Sequence, residues 1–354
     1  MPDLDALIEK LSAIAVRWRE PDHDARVEAV RRTLEADNRF TAEATAFAIN
    51  QQMDQITPDA LRSWLGGRRT RKPLKVGVLN AGNVPLAGLQ DFLAVVLTGH
   101  AYAGSTSSKS PFLLPEFARE VSEGAPALEV DFLPYDQLLG QVEAVIATGS
   151  DETRMAVGED LDRAGVPASR RLLRGHRYSV AVLDGLERSE EREGLAEDAL
   201  LHEGMGCRNV AVVWAPRGIS PDPYLDAMAQ FRSVFPAHVR TPAALKMHRA
   251  MLEAVDVPHA YGEGLEFLVS KGEPEPQAPG HIRWAEYTNL SEVEDWIARN
   301  RESLQIVVCR RRLPIQMAEE IESVEPGCAQ RPSLSWRPEG VDTIDFLARL
   351  PEVR

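Results

Sequence analysis

Residues 74–99 read LKVGVLNAGNVPLAGLQDFLAVVLTG, and three textures follow one another within them. "LKVGVLN" is a short, nearly continuous apolar run, the pattern of a strand covered on both faces. "AGN" is turn chemistry. "LAGLQDFLAVVL" then masses apolar residues as a buried helix does, and Pro85 predicts the helix start, because a missing N–H is harmless in a first helical turn. Strand, tight turn and helix in succession open an α/β layer, so a sheet begins near Leu74.

Outward from that stretch the pattern divides. Before it, "LDALIEKLSAIAVRW" (4–18), "DARVEAVRRTLEAD" (24–37) and "AEATAFAINQQMDQ" (42–55) space apolar residues at three and four, which predicts an all-helical entry segment closed by "GGRRTRKP". After it, strand-like "YAGSTSS", "EAVIATG", "YSVAVLD" and "VAVVWAP" alternate with helix-like "DETRMAVGEDLDRA" and "AEDALLHEG". That alternation predicts an α/β fold with a largely parallel sheet. Farther on, "PYLDAMAQFRSVF" and "AALKMHRAMLEAV" read as helices, and "GLEFLVS", "HIRWAEY" and "LQIVVC" as strands. "KGEPEPQAPG" (271–280) reads as a solvent loop.

Composition narrows the function classes. The chain has 354 residues, 44% of them hydrophobic, enough for two ordinary cores. A net charge of −14 without a long Lys/Arg run argues against nucleic acid, which binds clustered positive charge. No apolar run approaches the roughly 20 residues of a membrane span, and the acidic, helix-periodic start is unlike a signal peptide, so a cytoplasmic protein is expected. Three cysteines, Cys207, Cys309 and Cys328, are too few and too scattered for a disulfide framework or a zinc site, so no metal is expected.

Neither G-x-G-x-x-G nor a Walker loop is present. In an open α/β sheet, ligands favour the carboxyl ends of strands and anions favour helix N-termini, which puts Asn83 at a binding rim. Read alone, Asn83 is a turn or helix-capping residue and Cys207 in "HEGMGCRNV" (202–210) is a packed small hydrophobe.

Taken in order, "NAGNVPLAGLQDFLAVVLTGHAYAGSTSSKSPF", "AVIATGS", "HEGMGCRNVAVVWAP" and the closing "GCAQRPSLSW…GVDTIDFLARL" resemble the LuxC-like fatty acyl-CoA reductases of the aldehyde dehydrogenase superfamily. The resemblance runs from about Leu74 to the C-terminus. It implies an aldehyde-dehydrogenase-like α/β fold: residues 1–70 a helical N-terminal segment, 71–176 a variant Rossmann NAD(P)-binding domain, 177–325 a catalytic domain, and 326–354 a C-terminal segment. That last segment is either an arm for another subunit or a helix docked on its own domain.

What the resemblance implies for residues is specific. Cys207 matches the nucleophile, Asn83 the amide of the oxyanion hole. Lys109 and Ser110 in "SSKSPF" match contacts to the adenosine ribose and any 2′-phosphate. Thr148, Gly149 and Ser150 match the turn against the pyrophosphate. The cofactor implied is NADPH, with NADH an alternative, the substrate an acyl-CoA, and the assembly a homo-oligomer such as a dimer. "RRLLRGHRYSVAVL" (170–183) lacks the glutamate with which hydrolytic relatives activate water, which favours a reductase. An acyl-phosphate reductase of the same superfamily and a non-catalytic acyl-binding subunit are the alternatives. His202 and Glu203 are expected to cap a helix end, and His176 to lie on the surface.

Overall fold

A computed structural model describes residues 3–317 and 321–350. The chain folds as two compact units: residues 3–38, 45–176 and 333–350 in the first, and 39–44, 177–317 and 321–332 in the second.

The first unit opens with α1 (Leu4–Arg19), α2 (Asp24–Glu35), α3 (Ala42–Gln55) and α4 (Pro58–Leu65). In α1, Leu7, Ile8, Leu11, Ile14, Ala15 and Trp18 are buried along one stripe, and Asp3 caps the helix by accepting from Ala6 N–H at 2.9 Å. α4 has a Thr57 cap, Pro58 in its first turn and left-handed Gly66 at its end, so sequence signals bound it on both sides.

The sheet follows through β1 (Lys75–Leu79), α5 (Leu89–Thr98), β2 (Ala101–Ser105), α6 (Leu113–Gly124), β3 (Val130–Phe132), α7 (Tyr135–Leu138), β4 (Ala144–Thr148), α8 (Asp151–Ala164) and β5 (Arg171–Arg174). Its strand order is β3-β2-β1-β4-β5, all parallel. The chain leaves β1 toward β2 and β3, then returns to the other side for β4 and β5. Connections therefore depart in opposite directions at β1 and β4, the place where such sheets open a crevice at their carboxyl ends.

α5 is buried nearly all round, as its apolar sequence predicts. Its one buried charge, Asp91, is paired with Arg174 at 2.8 Å, and Arg174 also donates to the Thr343 hydroxyl. The helix begins later than predicted. Leu86 is left-handed (φ 56°), Leu89 N–H closes back on Leu86 O at 3.0 Å, and Gly88 is the N-cap. A left-handed residue cannot continue a right-handed helix, so Pro85 lies in the preceding turn and does not open α5.

The second unit comprises β6 (Tyr178–Val182), α9 (Ser189–Leu200), β7 (Val210–Pro216), α10 (Asp222–Val234), α11 (Thr241–Ala254), β8 (His259–Tyr261), β9 (Leu268–Lys271), β10 (His281–Tyr287), α12 (Leu290–Asn300), β11 (Leu304–Cys309) and β12 (Glu322–Val324). Seven strands are ordered β12-β11-β6-β7-β10-β9-β8, parallel except for β8 against β9. Leu195, Ala199, Met228 and Trp284 belong to the core of one face, and Val182, Val293 and Ile297 to that of the other. The loop 272–280 joins β9 to β10 as expected.

The last helix among the described residues, α13 (Thr343–Arg349), belongs to the first unit and buries Ile344 and Leu347. The His100 ring is hydrogen-bonded to Leu347 O at 3.0 Å, and the Gln90 amide donates to Leu334 O and Trp336 O at 2.8 and 2.7 Å. No helix among the described residues is long and apolar enough to cross a membrane.

Candidate active site

Between α9 and β7 the backbone does what the helical pattern of 196–204 does not predict. α9 stops at Leu200, and His202, Glu203 and Gly204 follow with φ of 54°, 57° and 70°. Each non-glycine residue in that region costs on the order of 1 kcal/mol, and two in succession require compensation nearby. Glu203 supplies some of it. Its carboxylate, 3% exposed, pairs with Arg232 of α10 at 2.9 Å and accepts from the Thr241 hydroxyl. Glu203 is thus a buried anchor for α10 and α11 and not the cap on a helix end that the sequence predicts, because α9 stops before it. His202 is also buried, and loss of hydration pushes its imidazole down to about 4, so it is neutral at neutral pH.

The chain then makes a β-turn with Cys207 at its second position and Arg208 at its third, closed by Asn209 N–H donating to Gly206 O at 3.0 Å. Cys207 is half-buried. Its carbonyl accepts from the Ser179 hydroxyl of β6 at 2.9 Å. Asn209 was not legible as a site residue. Its Oδ1 accepts from Gly206 N–H at 2.8 Å, and its Nδ2 donates to Asp198 O, Ala199 O and Leu201 O at 3.0, 3.4 and 2.8 Å. These last are carbonyls that a helix terminus leaves without helical partners. The turn signal "GCRN" is in the sequence, but not which carbonyls its Asn would reach.

Charged groups behind the turn are committed to structure. Arg208 points toward residues 322–329, donating to Ala329 O at 2.5 Å and pairing with Glu322 at 3.4 Å. Asp198 accepts from Gly327 N–H and Ala329 N–H at 2.7 and 2.9 Å. Burial pushes its carboxyl up to about 7 against those donors and the nearby Arg208, all of which favour the anion. Asp198, Glu203 and Glu322 are thus each engaged by other groups. Of the remaining cysteines, Cys309 lies inside β11, where burial pushes its thiol up to about 11. Cys328 is exposed, and its thiol is held above the ordinary range by lost hydration, then by Asp198 and Glu325.

The first unit gathers the other candidates at one sheet edge. Asn83 is half-buried in the turn between β1 and α5, five residues before the Gly88 cap, so it does not cap that helix. Exposed Lys109 and buried Ser110 follow β2. Thr148 ends β4, Gly149 follows, and Ser150 caps α8 by accepting from Thr153 N–H at 3.2 Å. Because β2, β1 and β4 are neighbours in parallel register, these turns share one rim. The turns after β1 and β2 also touch: a Cβ on Gly82 would fall 2.2 Å from Ser107 Oγ and 3.2 Å from Lys109 Cβ. Asp151 and Glu152 in the first turn of α8 oppose an anion at that terminus. A residue the sequence did not flag, Asn80, ties the rim together, its Nδ2 donating to Val78 O, Tyr102 OH and Ser105 O at 3.3, 3.1 and 3.2 Å. His176 is exposed.

No family model and no curated protein sequence matches the chain. Solved structures do. An oxidoreductase from Marinobacter aquaeolei superposes with a TM-score of 0.72 at 11% identity, over 98% of this chain and 84% of that one. A NAD-dependent benzaldehyde dehydrogenase from Corynebacterium glutamicum gives 0.66 at 15%, over 91% and 80%. A mutant aldehyde dehydrogenase C from Pseudomonas syringae, complexed with NAD+ and octanal, gives 0.64 at 11%, over 91% and 76%. Identities this low speak to architecture, and the architecture is plain: the chain has an aldehyde-dehydrogenase-like fold, mixed α/β with parallel sheets.

Proposed function

We propose that the protein reduces an acyl-CoA thioester to the aldehyde through an acyl group held covalently on Cys207. The observation that carries this reading is the turn at 206–209, which holds a half-buried cysteine at a backbone corner, with Asp198, Glu203 and Glu322 engaged by other groups. The Cys207 thiolate attacks the carbonyl carbon, the S–C bond forms, and the carbonyl oxygen becomes an oxyanion. Collapse expels the coenzyme A thiolate and leaves an acyl-cysteine. The family resemblance assigns two donors to that oxygen, the Cys207 N–H and the Asn83 amide, and neutral donors suit the task because they stabilise developing charge without binding a ground-state anion. A water-activating base would hydrolyse the intermediate, and none of the three carboxylates around the turn is available to act as one.

NADPH, when bound, supplies the hydride. The rim of the first unit offers such a cofactor the carboxyl ends of β1 and β4, with Lys109 and no carboxylate among residues 105–110; Asp151 and Glu152 at the start of α8 work against an anion, so at that turn the pyrophosphate would rest on the Ser150 hydroxyl and backbone donors. Lys109 and Ser110 would hold the ribose and 2′-phosphate; Thr148, Gly149 and the Ser150 hydroxyl would face the pyrophosphate. The fold it shares with an enzyme complexed with NAD+ and octanal supports both a nicotinamide cofactor and an apolar acyl group.

The deciding experiment is covalent labelling with radioactive acyl-CoA, followed by addition of NADPH. Wild-type protein should take up about one acyl group per chain and release it as aldehyde as the nicotinamide absorbance falls. Cys207→Ser should fold and take up none; equal labelling of that variant would move the nucleophile to Cys328 or Cys309. An acyl phosphate that outcompetes acyl-CoA would change the substrate class.

A further inference from the structure

We infer that Asn209 is the positioning residue that makes the Cys207 N–H an oxyanion donor, an inference that rests on the acyl-transfer reading above. Asn209 is 2% exposed. Its backbone N–H donates to Gly206 O, its Oδ1 accepts from Gly206 N–H, its Nδ2 reaches three carbonyls at the end of α9, and its own carbonyl accepts from Ser179 N–H at 3.2 Å. Both peptide groups flanking Gly206 are therefore held by one residue.

The consequence for Cys207 follows from peptide geometry. A trans peptide aims its C=O and its N–H in opposite directions, and no cis bond occurs among the described residues. Gly206 C=O is drawn into the turn by Asn209, so the N–H of Cys207, in the same plane, is directed out of it. Ser179 fixes the next plane by donating to Cys207 O. The Nδ2 bonds then fasten the turn to α9, so the outward N–H cannot swing. A donor stabilises an oxyanion fully only when it needs no reorientation during the reaction.

Asn209 should therefore matter to attack on a carbonyl and not to attack on a saturated carbon. With iodoacetamide, the Cys207 sulfur bonds to the methylene carbon as iodide leaves, and no oxyanion forms. With p-nitrophenyl acetate, sulfur bonds to the carbonyl carbon, an oxyanion forms, and collapse expels p-nitrophenolate. Both probes are small and independent of acyl-chain recognition.

The test measures both second-order rates on the full-length protein, with Cys207→Ser as the background for exposed Cys328. Asn209→Ala should slow the p-nitrophenolate burst by roughly tenfold or more, the scale of a misaligned donor, while carboxamidomethylation stays within about twofold. Asn209→Ser keeps an oxygen that can accept from Gly206 N–H, though more weakly, and should recover part of the burst. If the alanine variant does not fold, the serine variant carries the comparison, and its burst-to-alkylation ratio must still lie below wild type. Parallel changes in both rates, or no change in either, would overturn the inference and leave the acyl reading standing. A wild-type protein that is alkylated at Cys207 but gives no burst would overturn both.

Discussion

Two turns carry the candidate chemistry, residues 80–88 in the first unit and 201–209 in the second, and each is tied down by an asparagine. Asn80 and Asn209 both spend their Nδ2 on three acceptors at the ends of neighbouring elements. They differ on the oxygen side. Asn209 Oδ1 takes an N–H, whereas buried Asn80 Oδ1 has no hydrogen-bond partner among the described residues and sits against Gly88. They differ also in what surrounds them. Behind the Cys207 turn lie buried Asp198, Glu203, Arg208 and Arg232, and two consecutive left-handed non-glycine residues; the other turn has one such residue, Leu86, and hydroxyl and amide groups. The contrast matches the proposed roles: buried charge would brace a turn that holds a nucleophile, and backbone and small polar groups would line the turn that faces a cofactor.

The largest effect that could break this contrast is at Asn83. If its amide donates to the developing oxyanion, Asn83→Ala should lower kcat by roughly 10²–10³, about 3–4 kcal/mol, with cofactor affinity little changed. Because Gly88 caps α5, loss of a cap on that helix is not an available explanation for the result. Near-normal single-turnover chemistry with a lowered Tm would confine Asn83 to a structural part.

Next comes the pH response of the second turn. His202 has its imidazole held down to about 4 by burial, so between about 6.5 and 4 the unfolded chain binds the proton that the folded chain refuses. That contribution to stability is present above about 6.5 and is lost as pH falls toward 4, by about 3 kcal/mol. Asp198, raised to about 7, acts oppositely over the same range, stability falling as pH rises from about 4 to 7. His202→Asn suits the left-handed backbone and removes only the first component. Urea unfolding at pH 7, 5.5 and 4 should show the variant losing less stability on acidification than wild type. Equal slopes would mean that His202 is accessible to protons in the folded state.

The first turn was legible because periodicity announces it. A buried strand, turn residues and an apolar helix leave few alternatives, and only the start of α5 was displaced, by a left-handed leucine that no propensity marks. The other turn was legible only at Cys207, through resemblance. Its neighbours Asp198, Ser179 and Asn209 come from a helix, a strand and the turn itself, and what joins them is which carbonyl faces which donor across up to 30 positions. Sequence spacing carries no signal for that. His202 and Glu203 read as the end of a helix because their side chains allow one, and tertiary partners, Arg232 and Thr241, decided otherwise.

A sterically defined test sharpens the other side of the contrast. A Cβ on Gly88 would lie 1.7 Å from Asn80 Oδ1, although φ there is ordinary at −93°. Gly88→Ala should therefore cost about 2 kcal/mol by driving Asn80 off its acceptors, as overpacking does. The same substitution should cost less in an Asn80→Ala background, and a double-mutant cycle on urea midpoints reads the coupling. Additive effects would show that the two residues do not contend for the space.

The smallest expected effect concerns Lys109, and it bears on the claim that the first rim is made for a phosphate-bearing molecule. Lys109 is exposed, so its pairing with a 2′-phosphate is screened and modest. Against that, the chain carries a net charge of −14, and a doubly charged phosphate approaches it only where a local cation offsets the field. Residues 105–110, Ser-Thr-Ser-Ser-Lys-Ser, offer one ammonium, several hydroxyls and no carboxylate. A lysine acts there as a point charge without the two-pronged geometry of arginine, so direction matters little and charge matters most. Lys109→Ala should weaken NADPH by roughly fivefold at low salt, about 1 kcal/mol, and NADH by much less, with the difference shrinking as salt is raised. Lys109→Arg should retain the preference. Fluorescence titration of both cofactors at two salt concentrations separates the outcomes: an equal loss for both would seat Lys109 against a group the two cofactors share, and no loss for either would take it off the rim's binding surface.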